Sequence, residues 1–304
     1  MLICPNCRGI LFEQGCLSCE GCGSTFSKND YGFITFTEFH FDVSTTTQDY
    51  AHIQESGSNR FYAEFLKPYI VQEPSQRILD VGCGVGGVVT CLIEDGYDAY
   101  GIDLPALSTY WAKNGNDSKR FFGCDASKLP FANGVFDVVY SLGVIEHIGT
   151  KLGHYTLSSD YRKARQIYAN EILRVTKPKG RILIACPNKT FPIDIQHGAH
   201  DTLTPTTLAT ILRKYICEKI RINIHPTWGE YHLLSYSETK SLFYGDGKGH
   251  SFRPLPLKGY FGMSRLQFGF LKCLEHLARF YVDHLPIFLR SSFLNPYMLV
   301  EIIK

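Results

Sequence analysis

An α/β fold built on a doubly wound, mostly parallel sheet is what this sequence predicts, and three observations carry the prediction. Residues 77–104, RILDVGCGVGGVVTCLIEDGYDAYGIDL, read as strand, glycine turn, helix and second strand. Further on, FDVVYSL at 136–142 is nearly all apolar, as a strand buried on both faces of a parallel sheet must be. Ahead of both, five of the 11 cysteines fall within the first 22 residues, so a small separate module precedes the sheet.

That module, residues 1–38, holds the pairs Cys4/Cys7 and Cys19/Cys22, each C-x-x-C, with eleven residues between them. Four thiolates on two facing knuckles suit tetrahedral zinc. Gly9 and Gly23, just after the pairs, let the chain turn back so that backbone N–H groups reach the sulfurs. Residues 10–12 and 32–36 are placed as small flanking strands. Cys16, separated from Cys19 by two residues, could pair with Cys19 instead; the glycine at 23 favours Cys19 with Cys22. The pattern CPNC…CEGCGSTFSKNDYGFITF resembles the zinc-ribbon module that partners transfer-RNA methyltransferases and is fused to the front of many bacterial methyltransferases. Arg8 and Lys28 are outnumbered there by Glu13, Glu20, Asp30 and Glu38, which is no basic RNA footprint. The charge leaves a structural role, or docking of another protein, for the ribbon.

Residues 39–58 read as a linker, and Asn59 opens a helix to Val71 with Phe61, Phe65, Leu66 and Tyr69 at helical spacing, stopped by Pro74. In the glycine stretch, Val85, Val88, Val89, Leu92 and Ile93 mark the helix, Gly96 its C-cap, and each flanking strand ends on a carboxylate, Asp80 and Asp103. Gly82, Gly84 and Gly87 also satisfy the dinucleotide fingerprint G-x-G-x-x-G, so the glycines alone do not choose a ligand. Asp80 argues through charge. A pyrophosphate would be repelled there, whereas the ammonium and sulfonium of S-adenosylmethionine would be attracted. These residues resemble motif I of class I S-adenosylmethionine-dependent methyltransferases. The resemblance implies a seven-stranded Rossmann-like sheet with the last strand antiparallel, cofactor contacts from Asp80, Gly82, Gly84 and Gly86, and ribose contacts from Asp103 beside Leu104.

The same resemblance extends downstream. FFGCDA, with Asp125 and Ala126, is similar to the third-strand motif whose carboxylate takes the adenine amino group; read alone, Asp125 is equally a turn cap. Ser141 and Leu142 close the fourth strand at the cofactor, and Gly143-Val-Ile-Glu146-His147 resembles a leucine–glutamate–histidine signature of small-molecule and lipid O-methyltransferases. His147 is the candidate general base toward a hydroxyl. Glu146 and His147 by themselves are not a metal coordination set, being adjacent in the chain. Residues 160–176 read as a helix, and Lys177-Pro-Lys-Gly180 turns into a strand at 181–186, with Lys179 where the family pattern has glycine. Pro187-Asn188, Phe191–Asp194 and His197 resemble a loop over the active site. A helix from Thr204-Pro205 to Tyr215, a strand at 220–224 and a closing strand at 297–303 complete the sheet. Residues 226–296 form a helical insertion, with an aromatic helical stretch at 268–289, too long for a connecting loop and suited to a lid or substrate subdomain. The whole of 39–304 is taken as one methyltransferase domain.

Composition limits the function classes. With 44% hydrophobic and 20% charged residues, no basic–apolar leader at 1–7 and no bilayer-length apolar run, a cytoplasmic protein is expected. A net charge of +2 gives no broad attraction to nucleic acid, so a small-molecule acceptor ranks ahead of ribosomal or transfer RNA. A non-catalytic cofactor-binding scaffold is the remaining class, and the intact glycine loop with Asp103 argues against it.

Overall fold

The computed structural model describes residues 1–37, 45–70, 75–151, 155–194, 196–197, 208–220, 223–244, 249–261 and 271–304. Its main sheet has seven strands: β4 (Arg77–Val81), β5 (Asp98–Asp103), β6 (Phe121–Gly123), β7 (Phe136–Leu142), β8 (Thr176–Pro187), β11 (Ser251–Pro254) and β12 (Tyr297–Ile303). Their spatial order is β11-β12-β8-β7-β4-β5-β6. β4 pairs parallel with β5 and β7, and β5 with β6. β12 runs against β8: Lys304 N–H donates to the Gly180 carbonyl, and at the other end Asn188 N–H donates to that of Pro296. This is the predicted mixed sheet with its last strand reversed. Two compact units divide the chain, Met1–Ser141 with Asn170–Ile182 and Ile303–Lys304, and Leu142–Ala169 with Leu183–Ile302.

In the first unit the ribbon is a three-stranded antiparallel sheet of β1 (Leu11–Gln14), β2 (Cys16–Cys19) and β3 (Thr25–Phe26). It is joined to the α/β sheet rather than merely preceding it. Phe36 N–H donates to the Gly123 carbonyl at 2.7 Å and Gly123 N–H to that of Ile34 at 2.9 Å, so residues 34–36 extend the sheet beyond β6. At the start of the chain Ile3 N–H reaches the Pro130 carbonyl at 2.9 Å. Arg8 makes a 2.7 Å ion pair with the buried Glu171. Phe33, buried, meets the fully buried Trp111 edge-on at 5.3 Å between ring centres.

Helix α1 (Thr45–Phe61) continues through one π turn, Tyr62–Leu66, into α2 (Lys67–Ile70). The predicted linker over 39–58 is therefore corrected, since helix begins at Thr45; residues 38–44 and Pro74 lie outside the described residues. Ser56-Gly57-Ser58 has the composition of a break. The helix runs through it, with Ser58 Oγ turned back onto the Gln54 carbonyl at 2.6 Å, and the burial of Tyr62, Phe65 and Leu66 just beyond offsets the weak local propensity. α3 (Gly87–Glu94) follows the glycine turn, capped by Gly96 at φ +89° as predicted. A short helix, α4 (Ser108–Lys113), places Trp111. α5 (Tyr161–Val175) then leads directly into β8. Lys177-Pro-Lys-Gly180 is part of that strand, with Lys179 at φ +64°, the left-handed region in which the family's glycine would be unstrained.

The second unit corrects the sixth strand. Asn223–Ile224, β10, pairs with β9 (Ile193–Asp194) in a separate two-stranded sheet, and the main sheet is completed by β11 from inside the insertion. β11 is a half-exposed edge strand, Ser-Phe-Arg-Pro, whose polar alternation gives little strand signal; Arg253 secures it with a 2.6 Å ion pair to Glu301 on β12. The remainder is helical: α6 (Leu208–Ile220), α7 (Tyr236–Tyr244) and α8 (Leu271–Asp283). The predicted helix starts at Thr204-Pro205 and Phe268 lie outside the described residues.

Candidate active site

The glycine loop leaves β4 at Val81 and enters α3 at Gly87. Gly82, Gly84 and Gly86 have φ of +87°, +55° and +82°, a run of left-handed conformations that only glycine adopts without strain. Space is a second requirement. A Cβ on Gly86 would stand 2.6 Å from the Phe121 ring, and one on Gly84 would stand 2.0 Å from Gln54 Oε1.

Two acids end the flanking strands. Asp80 is 6% exposed, and burial pushes its carboxyl well above the usual range against the opposing Tyr140 hydroxyl. Asp103 is raised to about 6 by burial, although its Oδ2 accepts from Gly84 N–H at 2.7 Å and its Oδ1 from Leu104 N–H at 2.7 Å. Among the described residues neither acid makes an ion pair. Two groups without a sequence signature hold the loop: Trp111 Nε1 donates to the Gly84 carbonyl at 2.7 Å, and Gln54 Oε1 accepts from Val85 N–H at 3.1 Å. Phe33, Trp111 and Gly84 thus connect the ribbon to the loop through one ring contact and one hydrogen bond.

A methyltransferase-domain family model matches residues 79–184, which begin on β4 and end on β8. The chain carries a class I S-adenosylmethionine-dependent methyltransferase domain. Among curated relatives, demethylmenaquinone methyltransferase of Beutenbergia cavernae is 29% identical, over 42% of this chain and 48% of its own. Sterol 24-C-methyltransferase erg6 of Schizosaccharomyces pombe is 27% identical, over 49% of this chain and 41% of its own. The chain therefore spans less than half the length of these relatives. A solved structure of Haemonchus contortus phosphoethanolamine N-methyltransferase 2 has a TM-score of 0.47 and 18% identity, covering 86% of this chain and 58% of that one.

The methyltransferase loop fits its cofactor in two respects. The turn puts no side chain at Gly82, Gly84 or Gly86, with Gln54 holding the space beside Gly84, and the buried Asp80 and half-buried Asp103, without a paired cation among the described residues, suit the positive sulfonium and ammonium. The other cofactor candidates stand differently. Asp125 is exposed, and its Oδ1 accepts from Ser127 N–H at 2.8 Å, the turn-capping geometry, with Ala126 in that turn. Ser141 is fully buried and donates to the Val81 carbonyl at 2.7 Å, so its hydroxyl ties β7 to β4. Leu142 is half-buried at the end of β7.

The four predicted ribbon cysteines converge. The sulfurs of Cys4, Cys7, Cys19 and Cys22 all lie within 4.8 Å of one another, with Cys7–Cys19 at 3.3 Å and Cys4–Cys22 at 3.6 Å. A tetrahedron of thiolates about 2.3 Å from zinc has edges of about 3.8 Å, so the set fits that ion. Gly9 N–H points at Cys7 Sγ at 3.4 Å, and a Cβ on Gly9 would come within 3.0 Å of Cys19 Sγ. Ser24, through its hydroxyl and amide, lowers the Cys22 thiol to about 6. Cys16 is not in the cluster; its sulfur faces Ser18 Oγ at 3.5 Å. The described ribbon contacts run to this chain's own domain, and nothing in them points to docking of another protein.

In the second unit His147 is the last residue of a one-turn 3-10 segment, Ile145–His147. The imidazole is exposed, and surrounding protein together with His197 holds it well below its ordinary pKa. Glu146 is fully buried, raised to about 7 by that burial, with His197 opposing. His197 lies edge-on to His147 at 5.2 Å and to His232 at 5.1 Å, and Tyr155 stacks on His232 at 4.9 Å. Asp194, on β9, accepts from His197 N–H and Gln196 N–H through Oδ1, and Oδ2 faces His197 Nδ1 at 3.0 Å. Arg165, buried, donates to the Ile148 carbonyl at 3.1 Å and to that of His232, fastening the segments that bear His147 and His232.

Proposed function

We propose that this protein transfers a methyl group from S-adenosylmethionine to a hydroxyl of a small acceptor, a lipid-like, glycan or secondary-metabolite precursor. The observation that carries the reading is the left-handed glycine turn between two strand-end carboxylates, Asp80 buried and Asp103 half-buried, in a chain segment matched by a methyltransferase-domain model. Asp80, Gly82, Gly84 and Gly86 would hold the methionine part, Asp103 and Leu104 the ribose, Asp125 and Ala126 the adenine, and Ser141 and Leu142 the strand end beside it. Bound there, the cofactor would supply an electrophilic methyl carbon: its S–CH₃ bond would break as an O–CH₃ bond formed, sulfur keeping the electron pair, with the acceptor's hydroxyl proton passing to the candidate base His147 and from it to solvent. The protein's part is alignment and exclusion of water.

A small acceptor is favoured by charge and by surface chemistry. The ribbon is acidic, and α8 presents Leu277 and Phe280 to solvent, 65% and 64% exposed, an apolar face rather than a basic one. The relatives quoted above are named for a quinone and a sterol. His147 as general base comes from the sequence signature alone; its neighbours Glu146 and His197 give it a setting taken up below. We further propose that the ribbon binds one structural zinc and braces the glycine loop through Phe33 and Trp111. Incubating the full chain with methyl-labelled cofactor and fractions of a cell extract tests the acceptor class. Label in the organic-soluble or small polar fraction is expected; label confined to RNA would overturn the small-molecule reading, and no transfer despite cofactor binding would indicate a scaffold.

A further inference from the structure

Glu146 is 0% exposed, and neither of its carboxylate oxygens has a hydrogen-bond partner among the described residues. A buried carboxylate with no partner is expensive, and native structures rarely keep one unless an ion, a water or a ligand completes it. What faces it is not apolar. One ligand atom each from Glu146, His147 and His197 lie within 4.8 Å of one another, drawn from two segments 50 residues apart in the chain.

We propose that Glu146, His147 and His197 form a binding site for a divalent transition-metal cation, separate from the four-cysteine cluster. Two imidazoles and one carboxylate are a ligand set that such cations accept on one face of their coordination sphere. The surroundings have the form that metal-ligating histidines require: a carboxylate, Asp194, faces His197 Nδ1 at 3.0 Å, fixing the ring and directing its other nitrogen away. Asp194, His197 and His232 also bring one ligand atom each within 4.8 Å, but that set is the weaker candidate. Asp194 is already engaged by two backbone N–H groups and by His197 Nδ1, and its nearest approach to His232 Nε2 is 3.8 Å. Asp194 is accordingly the positioning residue, and His232, buried with Tyr155 stacked on it, walls the site.

Access comes through His147, the one exposed member, which leaves coordination positions open toward solvent. A ligand presenting two oxygens, such as a vicinal diol, a carboxylate or a phosphate, would occupy them. The site does not depend on the methyl-transfer reading, because its test is metal binding itself.

The test loads full-length protein with zinc, removes loose metal, titrates with Co²⁺ alone and measures bound metal by elemental analysis and visible absorption. One Co²⁺ per chain beyond the zinc is expected, with the weak bands of nitrogen and oxygen ligands and no intense thiolate-to-cobalt band. His147→Ala, at an exposed position that tolerates truncation, should weaken Co²⁺ binding at least 100-fold, and Asp194→Asn 10–100-fold, as loss of a positioning carboxylate does elsewhere. Glu146→Gln should weaken it at least tenfold while raising the melting temperature of the Co²⁺-free protein, because it removes an unpaired buried carboxylate. No binding beyond the zinc, Co²⁺ carrying a thiolate band, or binding unchanged in His147→Ala would each overturn the proposal.

Discussion

Replacing Trp111 by Phe isolates the hydrogen bond through which the ribbon side of the molecule reaches the glycine loop. The indole N–H donates to the Gly84 carbonyl at 2.7 Å from a fully buried ring, so phenylalanine keeps much of the packing and deletes the donor. A buried carbonyl left without its partner costs about 1–3 kcal/mol. Were the loop to relax in the free protein and recover that energy by solvation, cofactor binding would have to restore the ordered turn. Affinity would then fall by about 5- to 150-fold, the equilibrium equivalent of that range. The assay is titration calorimetry with S-adenosylhomocysteine, paired with a thermal melt. Phe33→Leu, which disturbs the ring contact at 5.3 Å but leaves the N–H, should show the same direction with a smaller change. An affinity within twofold of wild type, alongside a lowered melting temperature, would refute the reasoning: the indole would then serve the core and not the loop.

Gln54→Ala should raise cofactor affinity about 2- to 10-fold by removing a side chain that holds Val85 N–H and covers Gly84, one hydrogen bond of about 0.5–1.5 kcal/mol; a loss of affinity in calorimetry would make Gln54 a ligand instead. Cofactor affinity should fall as pH drops through about 6, where Asp103 becomes protonated, and level off above pH 7; the ionised carboxylate is the form that accepts from ribose hydroxyls, so Asp103→Asn should flatten the profile, and an unchanged slope in that variant would exclude Asp103. Folding stability should move oppositely, since Asp103's pKa is raised in the folded state: it falls as pH rises from about 4 to about 6, measurable by urea titration, and Asp103→Asn should reduce that slope. Elemental analysis of chelator-free protein should find about one zinc in the ribbon, retained in Cys16→Ser and lost in Cys22→Ser; retention in the latter would contradict the assigned set.

The parts of this architecture that sequence reveals are those fixed by local chemistry. Ile78, Leu79 and Val81, and Phe136, Val138 and Val139, are all fully buried because the strands are covered on both faces, and an unbroken apolar run records that directly. The cysteine spacing likewise identified the four converging sulfurs, with Gly9 pressed against them and Cys16 left aside. Gln54 and Trp111 left no such trace: each acts through one hydrogen bond to backbone 31 or 27 residues away, a contact fixed only by folding. The gathering of Glu146 and His147 with His197 depends equally on tertiary placement. Sequence places the sixth strand at 220–224 because Ile-Arg-Ile-Asn-Ile alternates β-branched and polar residues, whereas the actual edge strand, Ser251–Pro254, is largely polar and ends in proline, as exposed edges do. At Asp125 local capping and cofactor binding use the same residue type, and the turn contact to Ser127 leaves Oδ2 for either.

The central claim, that the loop between Asp80 and Asp103 receives the methyl donor, is tested most directly by calorimetric titration of the full chain with S-adenosylmethionine, S-adenosylhomocysteine and NADH in parallel. Binding of both adenosyl ligands near one per chain, greatly weakened by Asp103→Ala, with no heat from NADH, is the predicted result. Tight NADH binding with no measurable affinity for either adenosyl ligand would contradict it.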